Sequence, residues 1–142
     1  MQAALFDTTI YLAALRRGDN GVLAVQRLDS GSVVWLSAVV LEELYAGVKE
    51  SGRTAVERLE RDFGRAKRIL VPDLSDWTWT GWVLARLAAK YDYKQIGQGR
   101  LTNDALMAMS AGRLGIRVMT ANERDFRRLA EFRAFQWQVA TV

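Results

Sequence analysis

Neither cysteine nor histidine occurs among the 142 residues. The first absence excludes disulfides and thiolate metal sites. The second excludes imidazole general bases, the usual catalytic triads and zinc sites of the common kind. Any chemistry the chain performs therefore runs on carboxylates, hydroxyls, amides, Lys or Arg. Proline occurs once, at Pro72, where it interrupts the chain after an apolar run. No apolar stretch approaches the roughly 18 residues of a membrane span, and the opening MQAALFDTTI carries no basic segment or long apolar core. These features predict a cytoplasmic protein with no membrane partner.

Half the residues are apolar and a quarter charged, the balance of a globular chain. The length suits a single domain over residues 1–142, with no visible repeat, low-complexity tract or linker. The formal net charge is +4 and the pI about 9.8. That excess suits a polyanionic partner, because Lys and Arg gain from releasing phosphate counterions.

Short Val-, Ile- and Leu-rich runs read as buried strands at Ala3–Phe6, Val33–Leu36, Ile69–Val71 and Ile116–Met119, with an edge strand at Phe135–Val139. Helical spacing predicts helices over Thr8–Arg17, Gly21–Leu28, Ala38–Lys49, Thr54–Arg68, Ser75–Tyr91, Thr102–Arg113 and Glu123–Ala130. Ser37 is placed to cap the third, and Gly97 and Gly99 mark a loop before the Thr102 helix. Alternation of unbroken apolar strands with helices predicts an α/β fold, a mostly parallel four- to five-stranded sheet between two helical layers.

Such sheets place their sites at the carboxyl ends of the strands. Asp7 directly follows the first run, in AALFD, where it could also serve only as a helix cap. Glu43, in SAVVLEELYAGV, falls between Val39 and Val40 on the apolar sector of its helix, whereas Glu42 falls on the polar side. A carboxylate facing a core costs several kcal/mol unless it is paired or holds a cation, so an ion pair with Arg16 or Arg113 is the competing explanation. Asp104 heads a helix whose same face carries Met107, Ala108 and Ala111, with Asn103, Ser110 and Arg113 assigned to an opposite polar strip. The helix dipole accounts for an acid in the first turn but not for the apolar face beneath it. A fourth locus, VMTANERDF, ends a strand at Thr120; Asn122 could cap the next helix with Asp125 in a variant capping box. Three separated acids near one sheet edge suggest a shared hard cation, Mg²⁺ or Mn²⁺, and hydrolysis by an activated water.

The same segments resemble the PIN-domain ribonucleases, in particular the VapC toxins of prokaryotic type II toxin-antitoxin systems. LFDTTIYLAAL is similar to the family's opening Asp-Thr strand end, LSAVVLEELYAGV to its Glu helix, and LTNDALMAMSAGRLGIRVMTANERDF to its closing Asp helix, strand and Thr-x-Asn/Asp segment. The resemblance implies that Asp7, Glu43 and Asp104 bind metal, with Asn122 or Asp125 filling a fourth catalytic position and Thr8, Thr9 and Thr120 as supporting hydroxyls. Asn122 departs from the fourth acid of many members, and Thr9 stands where Asn is common. Implied too are metal-assisted cleavage of an RNA phosphodiester, a homodimer and a VapB-type antitoxin partner. Lys94, Arg100, Arg113 and Arg124 lie near the acidic segments and are candidates for phosphate contact, each equally readable as solvated surface. Trp79 and Trp82, one helical face of DWTWTGW, are read as core or dimer contacts ahead of RNA stacking.

Two other classes compete. A phosphoaspartate enzyme would use Asp7 as nucleophile, but DTT lacks a second Asp two residues on. A non-catalytic RNA- or protein-binding module on the same fold is kept open by Asn122.

Overall fold

The computed structural model describes residues 2–18, 32–91 and 99–140. Five strands form one sheet: β1 (Gln2–Phe6), β2 (Ser32–Ser37), β3 (Ile69–Leu70), β4 (Arg117–Thr120) and β5 (Trp137–Val139). Their order is β3-β2-β1-β4-β5, and every neighbouring pair is parallel. The central β1 is registered Ala4 to Val34 on one side and Phe6 to Met119 on the other. Ala4, Leu5, Phe6, Leu36 and Val118 are almost completely buried, which is why these strands read as unbroken apolar runs.

Six helices are seen among the described residues: α1 (Thr8–Arg16), α2 (Ala38–Gly47), α3 (Glu50–Arg65), α4 (Leu74–Lys90), α5 (Gly99–Arg113) and α6 (Glu123–Ala130). α2 packs on α1 and α3, and α4, α5 and α6 pack on one another, with α2 also meeting α5, in keeping with two helical layers of an α/β/α sandwich. The chain moves outward from β1 through β2 to β3, then crosses back over to β4 and β5. Right-handed crossovers put the two helix groups on opposite faces and open a crevice where the direction reverses, between the carboxyl ends of β1 and β4.

Several expected boundaries moved. The helix expected at Gly21–Leu28 lies outside the described residues. α2 ends at Gly47 because Val48 is extended, and α3 then starts at Glu50 without a side-chain cap, four residues before the expected Thr54. α5 begins at Gly99, which the sequence assigned to a loop. At its far end Gly115 has φ +67, a left-handed turn that suits glycine, and the Ile116 N–H donates to the Ala111 carbonyl to close the helix.

Candidate active site

Asp7 sits at the crevice. Its backbone N–H donates to the Met119 carbonyl at 3.0 Å, one step beyond the paired register of β1 and β4, so sheet geometry fixes its position. Its carboxylate is 3% exposed and accepts from three donors. Thr9 Oγ1 donates to Oδ1 at 2.7 Å, the Ile10 N–H donates to the same oxygen at 3.4 Å, and Thr120 Oγ1 donates to Oδ2. Asp7 is therefore the cap of α1, as the plainer reading held, and also part of a buried cluster spanning the crevice.

α1 divides its residues between core and cleft. Ile10, Tyr11 and Ala14 are buried, while Thr8, Thr9, Leu12 and Arg16 line an open cleft of about 290 Å³. Glu43 from α2 and Arg100 and Asp104 from α5 complete the lining alongside Asp7. Thr8 Oγ1 donates to Glu43 Oε1 at 2.8 Å, which positions a half-buried carboxylate that has no ion pair among the described residues. Arg16 shares the cleft but makes no salt bridge with Glu43 among the described residues.

Asp104 is the least compensated of the three acids. It is 7% exposed, and among the described residues no group donates a hydrogen bond to it. Since α5 starts at Gly99, Asp104 lies in the second turn, beyond the reach of the N-terminal dipole. Burial, reinforced by the negative charges of Asp7 and Glu43, pushes its carboxyl from the ordinary 3.8 to about 8; the Arg100 guanidinium opposes the rise only in part. The three acids thus face one space and feel one another's charge.

Among the described residues, no three acidic groups are gathered tightly enough to cage an ion alone. A hydrated hard cation asks for less, because Mg²⁺ retains several waters and takes only one or two carboxylates. Threonine hydroxyls donate to both oxygens of Asp7 and to Oε1 of Glu43. An all-oxygen donor set with a buried, undonated carboxylate fits such a cation.

The fourth locus is a cap. Asn122 Oδ1 accepts from the Asp125 N–H at 3.4 Å, its Nδ2 donates to Asp125 Oδ2 at 2.9 Å, and its own N–H donates to Thr120 Oγ1 at 3.0 Å. Neither Asn122 nor Asp125 lines the cleft, although the Asp125 charge reaches Asp104. Thr120 is the link, accepting from Asn122 and donating to Asp7.

The basic candidates separate. Arg100 lines the cleft, and Arg124 is exposed with Nε donating to Asp125 Oδ1 at 3.2 Å. Arg113 is not brought to the acids: it grips Asp76, with Nε 3.1 Å from both carboxylate oxygens and Nη2 3.0 Å from Oδ2, at the opposite end of α5. Lys94 lies outside the described residues. Ser110, expected on a polar strip, is fully buried and donates back to the Leu106 and Met107 carbonyls. Trp79 and Trp82 are not core residues; both are exposed, edge to face at 5.1 Å, with Arg133 and Arg86 stacked on them. Sequence reasoning missed Leu12 as a cleft residue and brought Arg16 there only as an ion-pair partner for Glu43, though their spacing from Thr8 by four and eight positions puts all three on one helical face.

The PIN domain model matches residues 4–132. No curated protein matches the sequence significantly. Among solved structures, a chain of the DNA-bound VapBC complex from Salmonella typhimurium superposes with TM-score 0.68 at 22% identity, covering 98% of each chain. A chain of VapBC2 from Rickettsia felis, bound to a promoter DNA fragment, gives 0.62 at 18% identity over 99% of this chain and 100% of that one. A chain of VapBC-1 from nontypeable Haemophilus influenzae gives 0.60 at 20% identity over 97% and 98%. At such identities the superpositions establish the fold, and the matched domain establishes the relationship: this chain belongs to the PIN domain family.

Proposed function

We propose that the chain is a Mg²⁺- or Mn²⁺-dependent endoribonuclease and the toxin of a type II toxin-antitoxin pair, built as one domain over residues 1–142. The observation that carries this reading is the cleft where Asp7, Glu43 and Asp104 meet from a strand end and two helices, with Asp104 buried and undonated among the described residues. These three would hold the cation. When bound, it polarises a phosphoryl oxygen and lowers the pKa of a water.

The chain's own groups supply the rest. Thr9 and Thr120 hold Asp7 in one orientation, and Thr8 fixes Glu43 through Oε1, leaving Oε2 for the cation or for the proton of the attacking water. Asn122 and Asp125 act through Thr120, keeping its hydroxyl aimed at Asp7. The net charge of +4 favours a nucleic-acid substrate.

The three solved structures described above are VapBC complexes, two of them bound to DNA, which supports a VapB-type antitoxin as partner and a cytoplasmic location. A homodimer is supported by the outward face of α4, where Leu74 is 79% and Trp77 54% exposed and Gly81 and Ala85 carry no charge. Apolar helix faces of this kind are typical of self-association surfaces.

The test is cleavage of RNA with Mg²⁺ or Mn²⁺, with chelator, and by folded Asp7→Ala and Asp104→Asn variants. Loss of cleavage by about 100-fold or more is expected in each case. RNA retained in chelator with no cleavage under any condition would instead favour the non-catalytic binding module. Growth arrest on expression, relieved by the product of the adjacent reading frame, tests the toxin role.

A further inference from the structure

Two arginines share the acidic cleft, and among the described residues neither makes a hydrogen bond or salt bridge. Arg53, Arg113, Arg124 and Arg127 each hold a carboxylate, and Arg86 and Arg133 lie on tryptophan rings; Arg16 and Arg100 differ from these in lining the cleft with no such partner. Asp7 and Glu43 are taken by threonine hydroxyls, and Arg100 reaches Asp104 only through its field. The cleft therefore keeps two guanidinium groups uncommitted beside three acids.

Their placement is not equivalent. Arg100 lies one helical turn before Asp104 on α5. Arg16 lies in the last turn of α1, two turns from Thr8, a backbone rise of about 12 Å. They come from different helices, and their backbones are separated by different numbers of turns from the acid-bearing segments. A polyanion entering over three acids is repelled unless the walls offer positive charge, and guanidinium groups bind phosphate oxygens in paired hydrogen bonds.

We infer that Arg16 and Arg100 grip phosphates flanking the one that is cut, so that the cleft selects a chain carrying phosphates beyond the scissile bond. This rests on the ribonuclease reading above and adds to it the two residues that set substrate length. Arg16 acts far from the reacting phosphate and Arg100 beside it.

The experiment compares wild type with Arg16→Gln, Arg100→Gln and Arg16→Lys, in the full chain with Mg²⁺. Substrates are single-stranded RNA of about 10 nucleotides and a dinucleoside monophosphate. Each Gln variant should raise KM for the longer RNA about 3- to 10-fold, with a smaller change in kcat. Each should also lower the salt slope of log(1/KM) by about 0.7, the value for a single-stranded substrate with one fewer phosphate neutralised. The advantage of the longer RNA over the dinucleotide should shrink in both, and Arg16→Lys should recover part of it. The rise in melting temperature on adding Mg²⁺ should persist in Arg16→Gln. Cleavage by all four proteins with the same KM and salt slope overturns this inference alone. A wild type that neither binds nor cleaves RNA overturns it together with the ribonuclease reading.

Discussion

Replacing Asp104 with asparagine should stabilise the metal-free protein, increasingly so as the pH rises. In the folded chain this carboxyl is raised from 3.8 to about 8, chiefly by burial and then by Asp7 and Glu43. Between those values the folded state keeps a proton that the unfolded state has released. The group's contribution is therefore fully present below the ordinary carboxylate range and is lost as pH climbs through about 8. At about 1.4 kcal/mol per tenfold in proton affinity, the full effect is roughly 6 kcal/mol. Water entering an open cleft relaxes part of it, and about 2–4 kcal/mol is expected between pH 5 and 8. An asparagine carries no such dependence. Urea or thermal unfolding in chelator from pH 5 to 8 should show wild type losing ground to the variant by about 10 °C in Tm. Adding Mg²⁺ or Mn²⁺ should restore the wild type, by about 2.7 kcal/mol at a hundred times Kd, and move the variant much less. Parallel stability profiles for the two proteins in chelator would refute the claim that Asp104 is an uncompensated buried acid.

Other consequences can be measured as readily. Thr120→Val removes the donor to Asp7 and the acceptor of the Asn122 N–H, and should cost about 1–3 kcal/mol of stability together with 10- to 100-fold in cleavage, read by unfolding and by kcat. Arg113→Ala leaves Asp76, 2% exposed, without its charged partner and with only the Asp73 N–H; a loss of about 2–3 kcal/mol is expected, with the salt dependence of RNA binding unaltered. A changed salt slope in that variant would show that Arg113 reaches phosphate after all. Ala85→Arg, which puts a charge on the uncharged outer face of α4, should shift the protein toward monomer in sedimentation while its circular dichroism stays that of the folded chain.

The strands and the three acids were legible because each signal is local. An apolar run marks a strand buried on both faces, and a carboxylate on an apolar helical sector is anomalous whatever surrounds it. Residues whose roles depend on a distant partner were not legible. Arg113 looked like one more basic side chain near an acidic segment, and only the packing of α5 on α4 shows that it belongs to Asp76. Asp76 itself hides in a capping box with Asp73, which begins α4 one residue earlier than Ser75 suggested. Ser110 read as polar surface because back-bonding to its own helix, which lets a hydroxyl be buried, leaves no trace in spacing. The tryptophans of DWTWTGW fit a core pattern as well as a surface one, and the arginines stacked on them come partly from residues far along the chain.

One detail of the sheet reaches beyond this chain. Asp7 is held at its main-chain nitrogen by Met119, in continuation of the β1–β4 ladder. A ladder bond of this kind is indifferent to side-chain identity, so drift in the surrounding helices leaves the anchor of the cluster in place. The site's central carboxylate thus takes its place from strand pairing, whatever side chains the neighbouring helices present.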